Sequence, residues 1–132
     1  MSRKAILLVD HGSVIEEANR MLEGVADLVR TKGAGYHVEH AHMELAEPTI
    51  ADGFRACVDA GARDVTVHPY MLSPGRHSTG DIPRMVAEAA RAHPGVTWRV
   101  TEPLGLHELI ALVVLERVRQ AEANDHPGGA GR

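Results

Sequence analysis

The hydrophobic pattern of the chain begins with a short apolar run followed by a longer segment with helical spacing. Residues 5–9, AILLV, form a continuous apolar run, which is typical of a strand buried on both faces of a sheet. From Val14 to about Lys32, apolar residues recur at intervals of three and four, and the segment closes at Gly33. This first unit therefore predicts a strand followed by an amphipathic helix.

The same alternation continues along the rest of the chain. The pattern predicts three further strands, at residues 36–44, 64–70 and 96–101. It predicts three further helices, at residues 48–60, 81–92 and 106–121. Alternating strands and helices favour a parallel sheet with right-handed crossovers. We therefore predict an α/β fold, a single-domain three-layer αβα arrangement with a four-stranded parallel sheet in the flavodoxin-like order 2-1-3-4.

Composition supports one domain of this class. The chain has 132 residues, of which aromatic residues supply only 3%, so aliphatic side chains must fill the core. We assign residues 1–121 to the α/β domain and residues 122–132, which are rich in glycine and polar residues, to a disordered tail.

Charge and cysteine content limit the partners and the compartment. A net charge of -4 without a dense basic run argues against nucleic-acid binding. The single cysteine, Cys57, cannot form an internal disulfide, and no apolar stretch is long enough to serve as a signal sequence or to span a bilayer. We therefore expect a cytoplasmic protein with no membrane partner.

Three residues with side chains suited to metal binding or proton transfer follow three different strands. In an open parallel sheet, ligands bind beyond the carboxyl ends of the strands, where the strand order reverses. His11 follows the first strand, His77 lies in the loop after the third, and Glu44 closes the second. Taken singly, each could be an ordinary turn or surface residue. Together they predict a functional site at the switch point between strands 1 and 3.

The loop that carries His77 also contains signals for the start of a helix. Ser78 or Thr79 can cap the following helix, Ser78 and Asp81 have capping-box spacing, and Pro83 suits a first helical turn. We therefore expect His77 just outside a helix N-terminus, whose positive end would keep the imidazole neutral and able to bind a metal. The preceding Gly75 and Arg76 favour anions at the same place.

The remaining histidines have plainer interpretations. His40 and His42 share one face of strand 2 with Glu44, and His37 lies on the other face. Polar residues on an edge strand suppress unwanted pairing, so we do not assign these histidines as ligands, although His42 is near enough to Glu44 to assist. We interpret His68 as a structural strand residue, and the last three histidines as surface or loop groups: His93, His107 and His126.

Four stretches of the sequence resemble one enzyme family. They are VDHGS with Asn19 downstream, MELAEPTI at 43–50, the loop HPYMLSPGRHSTGDIP at 68–83, and EPLGLHELIALVVLERV at 102–118. In this order they resemble the small sirohydrochlorin cobaltochelatases and ferrochelatases, which are class II chelatases. The chain differs from the common family pattern at Val14, where members frequently carry Arg, and at Asp10, where glycine is common.

The resemblance implies a lyase-type metal insertion into a sirohydrochlorin-type tetrapyrrole, on the way to cobalamin, sirohaem or a nickel tetrapyrrole. It implies that His11 and His77 bind the metal, with Glu44 near the site, and that the chain pairs as a homodimer. The metal, Co²⁺, Ni²⁺ or Fe²⁺, is a substrate, so no permanent cofactor is expected.

This chemistry suggests a role for each candidate residue. Two neutral imidazoles suit Co, Ni, Fe and Zn alike and form an incomplete shell that can release the ion. His11 or His77 can also accept a pyrrole proton as the metal leaves, and Glu44 can complete the shell or carry protons away. The many carboxylates of the macrocycle would bind to the loop residues and one helix residue beyond them: Ser13, Ser73, Gly75, Arg76, Ser78, Thr79 and Arg84. We expect apolar walls from Met71, Leu72 and Leu104.

Two other functions stay open at this point. A non-catalytic cobalt or nickel carrier could use His11 and His77 together with the His37, His40 and His42 strand. A phosphoryl-transfer enzyme with His11 as nucleophile is a weaker match, because no arginine stands beside His11.

Overall fold

The computed structural model describes residues 3–124, apart from the side chains of His77 and Ser78. His126 and most of the predicted tail lie outside the described residues. The elements in chain order are β1 (Lys4–Asp10), α1 (Glu16–Lys32), β2 (Tyr36–His42), α2 (Ile50–Asp59), β3 (Asp64–Pro69), a π-helical turn (His77–Asp81), α3 (Ile82–Ala90), β4 (Thr97–Val100) and α4 (Glu108–Asn124).

The four strands form one parallel sheet in the order β2-β1-β3-β4, which confirms the predicted fold class and strand order. β1 lies between β2 and β3, so β2 is added on one side of β1 and the later strands are added on the other side. The switch point therefore lies at the carboxyl ends of β1 and β3.

The core forms on the two faces of the sheet. On one face, α1 packs Leu22 and Ala26 against Leu8 of β1 and Val38 of β2. On the other face, α2 and α3 cover a larger cluster, whose fully buried members include Phe54, Leu7, Val67 and Val86. This two-sided burial explains why β1 is a continuous apolar run rather than an alternating one.

The last helix differs from the others, because none of its residues is buried. Six apolar side chains between residues 109 and 118 are nevertheless about half exposed or more: Leu109, Leu112, Val113, Val114, Leu115 and Val118. The predicted broad apolar surface of α4 is present, but this domain does not cover it. Within residues 3–124, no helix is long and apolar enough to cross a membrane.

Several boundaries differ from the sequence prediction for local reasons. β2 ends at His42 rather than Glu44. The second helix begins after Thr49, whose side chain forms a reciprocal capping box with Asp52. Pro83 lies in the first turn of α3, as predicted.

Candidate functional site

A cavity of about 530 Å³ opens at the switch point, between the segments that follow β1 and β3. One wall comes from the end of β1, the loop after it and the start of α1, and the opposite wall from the loop after β3. The lining residues are Asp10, His11, Gly12, Ser13, Ala18, Asn19, Met21, Tyr70, Met71, Leu72, Ser73, Pro74 and Gly75. The cavity therefore lies where the topology predicts a ligand site.

The β1 loop, residues 11–15, approaches the end of β2 closely. Gly12 adopts a φ of 90°, and a Cβ built there would overlap the backbone carbonyl oxygen of Glu44. Glycine is required at this position because an L side chain would meet both the left-handed backbone and the neighbouring chain. Glu44 in turn donates its backbone N–H to the carbonyl of His11, over 3.1 Å.

The other side of the β1 loop is held by Asn19 of α1. Its Oδ1 accepts the Ser13 backbone N–H at 3.0 Å, and its Nδ2 donates to the Ser13 carbonyl at 2.7 Å. This pair of bonds gives Asn19 a role that the sequence did not reveal. The Ser13 hydroxyl accepts the Ile15 N–H at 2.9 Å, and Ile15 is the N-cap residue of α1. Ser13 thus shapes the loop rather than capping the helix.

A partly buried hydrogen bond between side chains joins the ends of β1 and β2. His42 is 1% exposed, and its Nδ1 lies 2.6 Å from Oδ1 of Asp10. The two residues are opposite each other in the ladder, and beyond them Met43 donates to the Asp10 carbonyl at 2.9 Å. The interpretation of His42 as an ordinary polar residue of an edge strand is therefore wrong: β2 is an edge, but α1 covers this face of it.

Glu44 lies two residues past the end of β2, with an exposed side chain. The next residue, Leu45, has a φ of 72°, so the chain turns sharply after Glu44. The backbone bond to His11 places Glu44 beside the β1 loop at the same edge of the sheet. His11 itself is exposed on the cavity wall.

The β3 loop, residues 70–76, forms the opposite wall. Tyr70 continues the pairing with β1 by donating its N–H to the Val9 carbonyl at 2.7 Å. The carbonyls of Met71 and Leu72 accept the N–H groups of Leu104 and Gly105, at 2.9 and 2.8 Å. Met71 and Leu72 line the cavity as predicted, whereas Leu104 lines a separate hollow beside His107.

The segment that carries His77 differs from the predicted capped helix start. His77 is the first residue of the π-helical turn that runs directly into α3, so it does not precede the helical segment. Thr79 donates both its backbone N–H and its hydroxyl to the carbonyl of Gly75, at 2.9 and 2.6 Å. Its hydroxyl bonds backwards, and Asp81 at the start of α3 makes no side-chain cap. The predicted cap by Thr79 is therefore wrong. The predicted capping box of Ser78 with Asp81 lies outside the described residues, because it depends on the side chain of Ser78.

The two candidate arginines differ in their surroundings. Arg76 is exposed at the end of the β3 loop, next to the cavity-lining Gly75. Arg84 pairs with Asp81 of the π-helical turn, with its Nη2 at 3.2 Å from Oδ1. Arg76 is the better placed of the two to meet a ligand in the cavity.

The other histidines of the sheet lie beside polar groups of the protein. His37 lies 2.6 Å from Glu39, and His40 lies 3.9 Å from Glu23. His68 is half-buried on β3, with its Nδ1 at 2.8 Å from the Thr101 hydroxyl, which agrees with a structural role. Burial lowers the pKa of His68, against a smaller opposing effect of a hydrogen bond with the Glu102 backbone.

The metal-binding potential of the described side chains is limited. Among residues 3–124 without the side chains of His77 and Ser78, no three His, Cys, Asp or Glu groups are arranged to hold a metal ion. The His37, His40 and His42 strand therefore gives no separate site.

The structure thus brings many of the candidate residues to one edge of the sheet. His11, Ser13, Ser73 and Gly75 line a single cavity, and Glu44 adjoins it through the backbone of His11. The lining residues that were not assigned a site role from the sequence include Asp10, Asn19, Met21 and Tyr70. Tyr70 could have been found, because it is the aromatic residue at the carboxyl end of a strand next to the switch point.

Comparisons with known proteins agree with this architecture. The family model CbiX matches residues 5–121. The chain is 46% identical over 114 residues to the chloroplastic sirohydrochlorin ferrochelatase of Arabidopsis thaliana, covering 86% of this chain and 51% of that protein. It is 29% identical over 137 residues to the sirohydrochlorin cobaltochelatase of Methanopyrus kandleri, covering 89% and 96%. The chain spans about half the length of the Arabidopsis relative and of the Bacillus subtilis sirohydrochlorin ferrochelatase.

Solved structures give the same assignment. The sirohydrochlorin chelatase SirB from Bacillus subtilis subspecies spizizenii, in complex with cobalt, superposes with a TM-score of 0.82 at 32% identity, covering 91% of this chain and 51% of that one. The cobalamin biosynthesis CbiX protein of Marinobacter aquaeolei VT8 gives 0.77 at 29% identity, covering 92% and 99%. As the resemblance to the small sirohydrochlorin chelatases predicts, this chain belongs to the CbiX family.

Proposed function

We propose that this chain inserts a divalent metal ion into a sirohydrochlorin-type tetrapyrrole. The observation that carries the proposal is the cavity at the switch point, which has His11 on one wall and, on the other, the loop that leads to His77. Relatives with this fold are named sirohydrochlorin cobaltochelatase or ferrochelatase, and a SirB structure contains cobalt.

In this proposal His11 and His77 present the metal. Neutral imidazoles bind first-row divalent ions well, and two of them leave coordination positions open for the pyrrole nitrogens. Insertion forms four metal–nitrogen bonds and releases two pyrrole protons. His11 and His77 accept these protons as they lose the metal, and Glu44, exposed beside the β1 loop, passes them to solvent.

The macrocycle would lie between the two walls of the cavity. Met21, Tyr70, Met71 and Leu72 offer apolar surface to the ring. Arg76 and the N–H groups of the β3 loop and the π-helical turn would bind its carboxylates. This assigns substrate binding to the predicted set: Ser13, Ser73, Gly75, Arg76, Ser78 and Thr79.

The supply of metal ions in the cell determines which metal the chain uses more than the type of its ligands does. Imidazole suits Co²⁺, Ni²⁺ and Fe²⁺, so the two histidines do not select among them. The named relatives include both cobaltochelatases and ferrochelatases. We propose Co²⁺ first, with Fe²⁺ and Ni²⁺ as alternatives for the same site.

An insertion assay tests the proposal directly. Purified protein with sirohydrochlorin and Co²⁺ should change the macrocycle absorption much faster than the uncatalysed reaction. His11→Ala and His77→Ala should each reduce this acceleration roughly a hundredfold, because each loses both a ligand and a proton acceptor. His37→Ala is the matched control, since His37 bonds Glu39 on another part of the sheet, and it should keep full activity. Full activity in both alanine variants of the proposed ligands would refute their roles.

We propose a second copy of the chain as the protein partner, seated against α4. A helix with apolar side chains on all sides is normally buried, and α4 is not. The Marinobacter protein, which is covered over 99% of its length, has the same extent as this domain. Light scattering should therefore give a dimer, and Leu112→Glu with Leu115→Glu should give a monomer. Gln120→Glu, beyond the apolar half of α4, should leave the dimer intact, and a monomeric starting protein would refute the proposal.

A cytoplasmic location remains our proposal for the compartment. The one cysteine, Cys57, is buried and free. Burial raises the pKa of its thiol to about 12, with a smaller contribution from the charge of Glu39, so the thiol stays protonated and unreactive. Such a residue does not need an oxidising compartment, because it does not have to form a disulfide. Imaging of a fluorescently tagged chain tests this location, and a signal confined to an organelle or envelope would contradict it.

A further inference from the structure

We propose that His42 holds the carboxylate of Asp10 away from the metal, so that the ion is bound weakly enough to be released. This inference rests on the proposed function for its purpose, but its central claim concerns metal binding alone. Asp10 lines the same cavity as His11, the next residue along the chain. A free carboxylate at that position would add an anionic ligand to the incomplete shell.

The geometry gives the reason why Asp10 is not free. Its Oδ1 lies 2.6 Å from His42 Nδ1, and an ionised carboxylate only accepts hydrogen bonds, so Nδ1 carries the proton. The side chain of His42 is 1% exposed and that of Asp10 is 18% exposed, so water competes little for this bond. A bond of this length to a charged acceptor is strong, and breaking it would leave a buried donor without a partner.

The backbone around the pair fixes it further. Asp10 and His42 are the last opposed residues of the β1–β2 ladder. His42 also donates its backbone N–H to the Pro48 carbonyl at 2.8 Å, and Met43 donates to the Asp10 carbonyl. The His42 ring packs edge to face against His40, with centroids 5.7 Å apart. These contacts fix the backbone of both residues and the ring of His42, so Oδ1 of Asp10 cannot turn toward a metal in the cavity without losing the bond to His42.

This assignment makes His42 a positioning residue with an unusual expected effect. Removing a merely structural partner near a metal site weakens metal binding, often by about 10-fold to 100-fold. Removing His42 should do the opposite, because Asp10 becomes available as a ligand. The ion is then held more tightly and passes more slowly to the macrocycle.

The test measures Co²⁺ affinity by calorimetry without tetrapyrrole, and insertion rates separately. His42→Leu should bind Co²⁺ roughly tenfold more tightly than the unmodified chain and insert it more slowly. Asp10→Asn combined with His42→Leu should return the affinity to its original value. His42→Asn, whose amide can donate from a position close to that of Nδ1, should restore both affinity and rate. Val38→Ala, another buried residue of β2, is the control for lost stability and should leave affinity unchanged.

A second variant keeps the proposal testable if His42→Leu does not fold. Asp10→Asn alone preserves size and an acceptor oxygen, and it should change Co²⁺ affinity by less than about threefold, because Asp10 is not a ligand in the unmodified chain. A tenfold loss in Asp10→Asn, or weaker binding in a folded His42→Leu, would overturn the inference. Absence of insertion by the unmodified chain would instead refute the proposed function, and the calorimetric result would still decide the role of His42.

Discussion

The two walls of the cavity are built in different ways. The β1 loop is short, and groups outside it hold it on both sides: Asn19 bonds both polar backbone groups of Ser13, and Glu44 bonds the carbonyl of His11. The β3 loop is longer and more exposed, and the bonds that join its start to the sheet and to the chain after β4 are made by Tyr70, Met71 and Leu72.

This difference suggests a division of labour between the two proposed ligands. His11 follows a buried strand directly and is fixed by the sheet, so it provides a preorganised position for the ion. His77 lies eight residues beyond β3, in the helical turn that follows the longer loop. We propose that one ligand next to the sheet and one farther from it along the chain together suit an ion that is bound and then transferred.

A glycine-to-alanine substitution in each loop should show the largest difference in the free energy of unfolding. Gly12→Ala forces a side chain into a left-handed backbone and into the carbonyl of Glu44, so it should lower the free energy of unfolding by roughly 2–4 kcal/mol. At Gly75, an added Cβ meets no atom of the described residues within 4 Å. Gly75→Ala should therefore change the free energy of unfolding by less than about 1 kcal/mol. Urea denaturation of both variants checks this, and equal losses would contradict the proposed difference.

The sequence predicted which strands and loops form the site better than it predicted the side-chain bonds that hold them. The alternation of strands and helices predicted the parallel sheet, and the common strand order of such folds, 2-1-3-4, places His11 and the β3 loop at one edge. It could not predict the burial of His42, because a period of two gives the face of a strand but not what covers that face. Nor could it predict the bond to Asp10, which is 32 residues away in the sequence.

In the segment after the β3 loop, the sequence signals for a helix start did not give the observed hydrogen bonds. Ser78, Thr79 and Asp81 all suit a helix start, but the Thr79 hydroxyl bonds backwards to Gly75 and the helical turn begins earlier. The sequence pattern of α4 correctly predicted an apolar helix. It could not predict that this apolar surface stays uncovered by the domain itself.

Removing the support of the β1 loop should have the next largest effect. Asn19→Ala deletes two hydrogen bonds to the Ser13 backbone and should lower the free energy of unfolding by about 1–2 kcal/mol. It should also weaken Co²⁺ binding roughly tenfold, because the loop that carries His11 loses its fixed position. Thermal unfolding and calorimetry provide the measurements. Arg20→Ala, which breaks only an exposed ion pair with Glu16, is the control, and an equal effect there would argue against the role of Asn19.

Acid should lower the free energy of unfolding through His68 of β3, the strand that precedes the β3 loop. Burial lowers the pKa of His68 in the folded chain below its usual value of 6.5, so the unfolded chain takes up the proton first as the pH falls. The contribution of neutral His68 to stability is therefore complete well above pH 6.5 and decreases as the pH falls below it, until the folded pKa is reached. His68→Asn should therefore remove part of the loss of stability between pH 7.5 and 5.5. Identical pH dependence of the free energy of unfolding in both proteins would contradict this.

The smallest effect on the free energy of unfolding should come from the bond of the Thr79 hydroxyl to the Gly75 carbonyl, which, like the Asn19 bonds, joins a side chain to a loop backbone. Thr79→Val keeps the β-branched shape but deletes the hydroxyl bond to the Gly75 carbonyl. The backbone bond between the same residues remains and the site is exposed, so the free energy of unfolding should fall by less than about 0.5 kcal/mol. Thr79→Ser, which retains the hydroxyl, is the matched control in the same thermal measurement. A loss in Thr79→Val as large as that of Asn19→Ala would mean that the β3 loop is held as firmly as the β1 loop, and the division of labour between His11 and His77 would lose its structural basis.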